Sequence, residues 1–400
     1  MKEDITLLVI APYYNVFIKE LTEATSIYVR NINVFVHHNY LSELALYLPF
    51  SRFRWVEKFS KRNLVNLKGL PNNVKVHVIS MFYFVPDGKN INLGEKLVRK
   101  FSEYIRKNKI EFDLIHGHTT WPQGYVAAKL GKEFGVPVVL TIHEDRDWFL
   151  KEYNSKNEKI YWTWRNADAL IRVNKKDVPL LKEFNSNVYP IPNGFNPSKL
   201  PPLTQEVSRL RLGLPLNKKI IFSLGNLVER KGFHYLIEAM SKILKTRNDV
   251  LCFIGGDGPW KGKLQNQINS LSLQNHVKLL GFVPDEKLAL WMNATDVFVL
   301  PSLNEGNPTV MFEALGVGLP FVGTAIGGVP EIIVSEDYGL LCPPADPECL
   351  AEKILIAIDK EWDREKIRKY SEQFTWDNIA KKILEEVYLP VLEGDRKWQV

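Results

Sequence analysis

The sequence predicts an α/β protein built on parallel, doubly wound sheets, and three observations predict it. Short β-rich apolar runs alternate with amphipathic helical patterns along the whole chain. The chain has 400 residues, the length of two ordinary domains. Near the C-terminal end, apolar runs stop in polar, Gly-rich loops that lead into helices. Loops, helix N-termini and carboxylates gathered at one sheet edge in this way form a ligand site in open α/β folds.

In order, ITLLVIAP, NVFVHH, VKVHVIS, DLIHGH, PVVLTIH, ALIRV and NVYPIPN read as strands in the first half. GEKLVRKFSEYIRKNK and YVAAKLGKEFG read as helices between them. The second half repeats the alternation with IIFSLGN, LCFIGG, VKLLGFV, DVFVLPS and PFVGT. Strand–helix alternation sends successive strands the same way, because each helix returns the chain to the starting edge. Residues 196–207, NPSKLPPLTQEV, interrupt the pattern with Pro and polar residues and read as the linker. The expected domains are therefore 1–197 and 205–375. Residues 376–400 form a closing amphipathic segment, with Thr375 as its N-cap.

Composition narrows the function. Cys252, Cys342 and Cys349 are too few and too scattered for a disulfide framework or a zinc site. The apolar run near Met1 is too short to span a bilayer and lacks a signal-cleavage pattern, so a cytoplasmic protein is expected. Residues 1–200 carry 29 Lys and Arg against 20 Asp and Glu, whereas residues 201–400 carry 23 against 26. A basic first half suggests an anionic acceptor or an anionic membrane surface; a solvated face with no partner is the alternative. In residues 48–70, Phe50, Phe53, Trp55 and Phe59 interleave with Arg52, Arg54, Lys58, Lys61 and Arg62. This segment reads either as an interfacial element or as an excursion whose aromatics pack on their own domain.

The densest motif is PSLNEGNPTVMFEALGVGLPFVGTAIGGVPEII, residues 301–333. Glu305 lies in the loop after a strand, Pro308 stands where a first helical residue would, and Glu313 lies inside the helix. An ionised carboxylate only accepts hydrogen bonds, which suits a ligand that presents hydroxyl donors. Upstream, IFSLGNLVERKGFHYLIEAM sets Lys231 and Gly232 just before a helix, where unpaired N–H groups favour a phosphate.

The 301–333 segment resembles the E-x7-E element of the family 4 retaining glycosyltransferases. Other segments agree, so the resemblance extends over most of the chain. It implies a GT-B architecture of two Rossmann-like domains facing a central cleft. It also implies transfer of a sugar from a nucleoside diphosphate donor to a saccharide or lipid-linked acceptor hydroxyl, with retention. No metal is implied, and no cofactor or nucleic acid is expected; peripheral contact with the inner face of the cell membrane rests on the 48–70 reading alone, with packing of that segment on its own domain as the alternative.

Carried over residue by residue, the resemblance assigns Lys231 to the diphosphate, Glu305 to the donor sugar and Glu313 to the ribose. The backbone of Thr309 and Val310 would face the phosphates, Phe282 and Val283 the base, and His118 the reacting centre. His143 and Asp145 would lie on the acceptor side, and His116 reads as packing. Two departures stand out. The usual phosphate loop reads G-R-x-x-x-x-K-G, but here Gly225 is followed by Asn226, which lacks the charged fork of Arg. Arg230 is the candidate replacement. The first loop, APYYNVFIKELTEAT, lacks the Gly-Gly usual there. A different GT-B enzyme, such as a nucleotide-sugar epimerase or hydrolase, and a non-catalytic nucleotide-sugar-binding protein remain as alternatives. A dinucleotide oxidoreductase is disfavoured, because GGDGPW at 255–260 lacks the full glycine fingerprint.

Overall fold

A computed structural model describes residues 3–44, 59–83 and 91–396. The chain divides into two compact units, Met1–Pro192 with Trp376–Val400, and Asn193–Thr375.

The first unit is built on seven parallel strands. They are β1 (Glu3–Ala11), β2 (Val29–Asn39), β3 (Val74–Met81), β4 (Leu114–His118), β5 (Val138–Ile142), β6 (Ala169–Arg172) and β7 (Val188–Pro190), in the order β3-β2-β1-β4-β5-β6-β7. The order reverses between β1 and β4, which pair from Leu7 with Leu114 to Ile10 with Gly117. Strands β4, β5 and β6 are buried along their whole length, because helices cover both faces of the sheet. Helix α1 (Val16–Thr25) follows β1, α2 (Ile91–Asn108) precedes β4, α3 (Tyr125–Phe134) follows β4 and α4 (Arg146–Tyr153) follows β5.

The second unit repeats the plan with six strands. They are β8 (Lys219–Leu224), β9 (Val250–Gly255), β10 (Val277–Gly281), β11 (Val297–Leu300), β12 (Phe321–Thr324) and β13 (Gly339–Cys342), in the order β10-β9-β8-β11-β12-β13. Its reversal falls between β8 and β11. Helix α5 (Gln205–Leu212) opens the unit, α6 (Phe233–Ile243) follows β8 and α7 (Thr309–Gly316) follows β11. Strand β13 has no counterpart in the sequence reading; its four residues, GLLC, include no β-branched or aromatic side chain.

The boundary differs from the expected linker. It falls at Pro192–Asn193, and residues 196–207 belong to the second unit. Phe195 anchors them there: its ring sits in the unit's core and its N–H donates to the Phe374 carbonyl at 3.0 Å. Thr204 then caps α5 by accepting from the Val207 N–H, so the supposed linker already contains a helix start. At the other end, a helix begins at Trp376, directly after Thr375. Trp376, Ile379, Ile383, Val387 and Tyr388 join the core formed by β1, β2 and α1. The Trp376 indole N–H donates to Glu20 at 2.8 Å. Residues 48–58 of the basic aromatic run lie outside the described residues. The remainder includes the short helix Lys61–Leu64, with Lys61 and Arg62 exposed and Leu64 buried.

Candidate active site

In the second unit, the loops after β8 and β11 leave the sheet at its reversal point, the position at which open α/β sheets bind ligands. Lys231 and Glu305 meet there. The Lys231 ammonium lies 2.5 Å from Glu305 Oε1, and the two side chains are 11% and 6% exposed. Ser302 Oγ donates to the same carboxylate oxygen at 2.7 Å. The Arg230 guanidinium lies 3.7 Å from Glu305 Oε2 and donates to the Asn304 carbonyl at 3.4 Å. Two of the proposed diphosphate cations and the proposed sugar carboxylate therefore form one cluster.

Glycines make this approach possible. Gly232 has φ +65°, and a Cβ there would lie 2.0 Å from the Pro301 carbonyl oxygen. Gly327, φ +51°, passes equally close to the Glu305 carbonyl, and the Gly328 N–H donates to the Gly306 carbonyl at 2.8 Å. Only a residue without a side chain fits either position.

Helix α7 begins at Thr309. Pro308 is its N-cap, with φ −72° and ψ 120°, rather than the first helical residue expected. The first-turn N–H groups of Thr309 and Val310 have no partner within the helix and carry its positive end. Met311, Phe312, Ala314 and Leu315 are buried, while Glu313 is half-buried. Asn307, just before the helix, was not anticipated. Its Oδ1 accepts from the Asn193 N–H at 2.9 Å, and its Nδ2 is buried with no partner. A buried donor without an acceptor is costly unless a ligand supplies one.

Gly225 donates its N–H to the Gly255 carbonyl at 3.1 Å, and Asn226 is exposed. Phe282 is 76% exposed, so it is not a core residue, whereas Val283 packs against the core.

The first unit has its own cavity, of about 570 Å³, at the carboxyl ends of its strands. Tyr13 follows β1, Thr119 and Trp121 follow β4, and Glu144 and Asp145 follow β5; all line it. Asp145 Oδ1 caps α4 by accepting from the Trp148 N–H at 3.1 Å. His118 is the last residue of β4, at the carboxyl edge of the sheet, and is buried there. It is 1% exposed, its Nδ1 lies 3.0 Å from His143 Nε2, and its ring is sandwiched between His116 and His143. His116 is held by the Tyr388 hydroxyl at 2.6 Å and the Thr141 hydroxyl at 2.7 Å. Burial, and then the neighbouring imidazoles, push His118 well below its ordinary pKa and His116 down to about 3, so both are neutral at physiological pH.

Sequence reasoning missed two carboxyls. Glu144 Oε1 accepts from the Thr120 N–H at 2.7 Å, and Glu152 Oε1 accepts from the Trp148 indole at 3.3 Å. The second oxygen of each is buried with no partner. Burial raises both pKa values, with Glu144 adding to the rise at Glu152. The signal available was HEDRDWFLKE, where charged residues continue an apolar strand end. Among the described residues, no group of three His, Cys, Asp or Glu side chains gathers as a metal site would require, and no helix is long and apolar enough to cross a membrane.

The profile described as Glycosyl transferases group 1 matches residues 204–374, and that described as Glycosyltransferase Family 4 matches residues 66–199. An uncharacterized glycosyltransferase of Methanocaldococcus jannaschii is 30% identical over 296 residues, 71% of this chain and 79% of that protein. Another from the same organism is 29% identical over 374 residues, 82% of this chain and 94% of that protein. Among solved structures, the sucrose-phosphate synthase of Thermosynechococcus elongatus aligns with a TM-score of 0.76 at 21% identity, over 97% of this chain and 100% of that one. Anabaena HepE, solved in complex with UDP, aligns with a TM-score of 0.69 at 20% identity, again over 97% and 100%. These likenesses carry the GT-B fold, which the two Rossmann-like units reproduce, and with the profile matches and the relatives they place the chain in glycosyltransferase family 4, as a glycosyltransferase.

Proposed function

We propose that the chain is a retaining, metal-independent enzyme that moves a sugar from a nucleoside diphosphate sugar to an acceptor hydroxyl, in polysaccharide, glycolipid or glycoconjugate synthesis. The observation that carries this reading is the Arg230–Lys231–Glu305 cluster at the reversal point of the second sheet, with the start of α7 in the next loop. Cations and a helix N-terminus suit a diphosphate, which gains negative charge as the anomeric C–O bond breaks. The new bond forms from the acceptor oxygen to the same carbon, and the acceptor proton passes to the leaving phosphate. Glu305 offers carboxylate oxygens to sugar hydroxyls, and Glu313 offers them to the ribose. Arg230 stands in for the cation absent at Asn226. The exposed Phe282 is available to stack on the base. A structural neighbour solved with UDP, and also with UDP-glucose, supports a nucleotide-sugar donor.

The proposal includes a cytoplasmic location, with a saccharide or lipid-linked acceptor and peripheral contact with an anionic membrane through the 48–70 run. Incubation with a panel of UDP-, GDP- and ADP-sugars and mixed acceptors in EDTA, followed by proton NMR of the anomeric signal, tests the reaction. Product with the donor's anomeric configuration is expected. Inverted product, or turnover abolished by EDTA and restored by a divalent cation, would contradict the mechanism.

A further inference from the structure

A second cavity lies at the other edge of the first sheet, among the amino ends of β1, β2 and β3. The strand registers put Thr6 beside Asn31, Leu8 and Lys75 beside Asn33, and His77 beside Phe35. With a side-chain period of two, these residues share one face of the sheet with Ile10 and Ile79. Towards the carboxyl ends that face is apolar: Leu8, Ile10, Phe35 and Ile79 form one core with Leu97, Phe101 and Ile105 of α2. Towards the amino ends it turns polar, and Thr6, Asn31, Asn33, Lys75 and His77 all line the cavity. Its volume is about 340 Å³, inside the range of roughly 300–1,000 Å³ usual for small-ligand pockets.

The floor is fixed by its own hydrogen bonds. His77 Nδ1 lies 3.2 Å from the Tyr104 hydroxyl, and its Nε2 lies 3.1 Å from Asn33 Oδ1. With the Nε2–H donating to that oxygen, the Asn33 carboxamide is held and its NH2 is left to donate elsewhere. Asn73, also in the lining, donates its NH2 to the carbonyls of Ser26, Val29 and Arg30 at 2.9, 3.1 and 3.2 Å, which leaves its Oδ1 to accept. A donor and an acceptor set in place before a ligand arrives suit the hydroxyls of a sugar ring.

The walls supply charge. Arg30, Lys75 and Lys109 line the cavity, with Glu111 as the one acid among the described lining residues. Asp4 offsets Arg30 at 2.8 Å, but Lys75 and Lys109 are exposed and enter no ion pair among the described residues. Burial, and then the Lys75 ammonium, lower the His77 pKa, so the ring stays neutral and its two nitrogens keep distinct roles. β3 is an edge strand, and a lone Lys there blocks pairing with a further strand. Edge protection does not call for fixed amides beside it, at Asn33 and Asn73.

We propose that this cavity is a second binding site, for a saccharide unit that carries a carboxylate or a phosphate. Lys75 and Lys109 meet the anionic group, and Asn33 and Asn73 meet the ring hydroxyls. The site goes beyond the transfer reaction. It stands at the edge of the sheet opposite Thr119, Glu144 and Asp145, and it gives the chain a hold on an anionic glycan that is separate from the strand-end cavity.

Calorimetric titration of the full chain tests this without any turnover. Glucuronate, galacturonate, glucose 6-phosphate and mannose 6-phosphate are compared with glucose, galactose, mannose and inorganic phosphate. At least one anionic sugar should bind about tenfold more tightly than its neutral parent and than inorganic phosphate. Truncating the two exposed cations together, Lys75→Ala with Lys109→Ala, should weaken that sugar about tenfold or more, and Asn33→Ala should weaken it as well. Binding should persist in the presence of UDP, GDP and ADP. No binding by any anionic sugar would overturn the proposal, as would equal binding of the neutral parent. Inorganic phosphate binding as tightly would reduce the site to an adventitious ion only and overturn it. Binding that survives both the Lys75→Ala, Lys109→Ala variant and Asn33→Ala, or that the nucleotides displace, would place the ligand elsewhere and overturn it too.

Discussion

Lys231→Ala should destabilise the second unit by about 3–5 kcal/mol, the usual loss when one partner of a buried ion pair is removed. The reason is Glu305, a buried side chain that loses the ammonium 2.5 Å away, while the Arg230 guanidinium stays at 3.7 Å. Ser302 still donates to it, but a hydroxyl does not replace an ammonium. Against a typical domain stability of about 5–15 kcal/mol, this is a large fraction. The single variant therefore mixes folding with chemistry. Combining Lys231→Met with Glu305→Gln removes both charges and keeps the volume, so thermal stability should return to near wild type. Turnover should still fall by about 100-fold or more, because the developing diphosphate charge has lost its buried cation. Denaturant melts of the single and double variants, with kcat of the double, check this. A single variant as stable as wild type would show that the pair is not made. A double variant with wild-type kcat would remove Lys231 from the chemistry.

Arg172→Ala should have the largest effect on the first unit. Arg172 is fully buried, donates to Asp177 Oδ2 at 2.7 and 3.1 Å, and lies over the Phe149 ring. Its Nη1 donates to the carbonyls of Ile142, at 2.9 Å, and Glu144, at 2.7 Å. Truncation leaves Asp177 with Arg146 at 3.2 Å and the Asn174 amide at 3.0 Å, and takes a donor from both carbonyls. A broken buried pair costs about 3–5 kcal/mol, and each orphaned carbonyl about 1–3 kcal/mol more. The expected loss is a large share of the unit's stability. Hydrogen exchange should rise across residues 138–177 while residues 219–342 keep their protection. Unchanged protection at 138–177 would contradict the assignment.

Much of this was legible before any coordinates. Twelve of the strands appeared as β-rich runs, because strands in a parallel sheet are buried on both faces and leave little alternation to misread. β13, GLLC, did not, because it opens on Gly and has none of the β-branched or aromatic residues that mark strands. The 301–333 motif placed Glu305 in a loop and Glu313 inside a helix, as the structure has them, since the strand, loop and helix that bear them are contiguous. The pairing of Lys231 with Glu305 was invisible, because 74 residues separate them and only sheet order joins their loops. The unit boundary was misplaced for a similar reason. Pro and polar residues suggested a linker, while Phe195 and its bond to Phe374 decided the fold. Glu144, Glu152 and Asn307 were missed because an orphaned oxygen or nitrogen depends on what folds over it. His118 was found by motif, but its burial between two other imidazoles follows from strand register.

The central claim is that the 301–333 segment and the Lys231 loop hold a nucleoside diphosphate sugar, and calorimetric titration tests it most directly. UDP, GDP and ADP are each titrated into wild type and into Glu313→Ala, a half-buried position whose truncation should leave the fold intact. One nucleotide should bind wild type, and Glu313→Ala should weaken it by about 1.5–3 kcal/mol, the worth of a hydrogen bond to a charged group. Failure of all three to bind wild type, or equal affinity in the folded variant, would contradict the account.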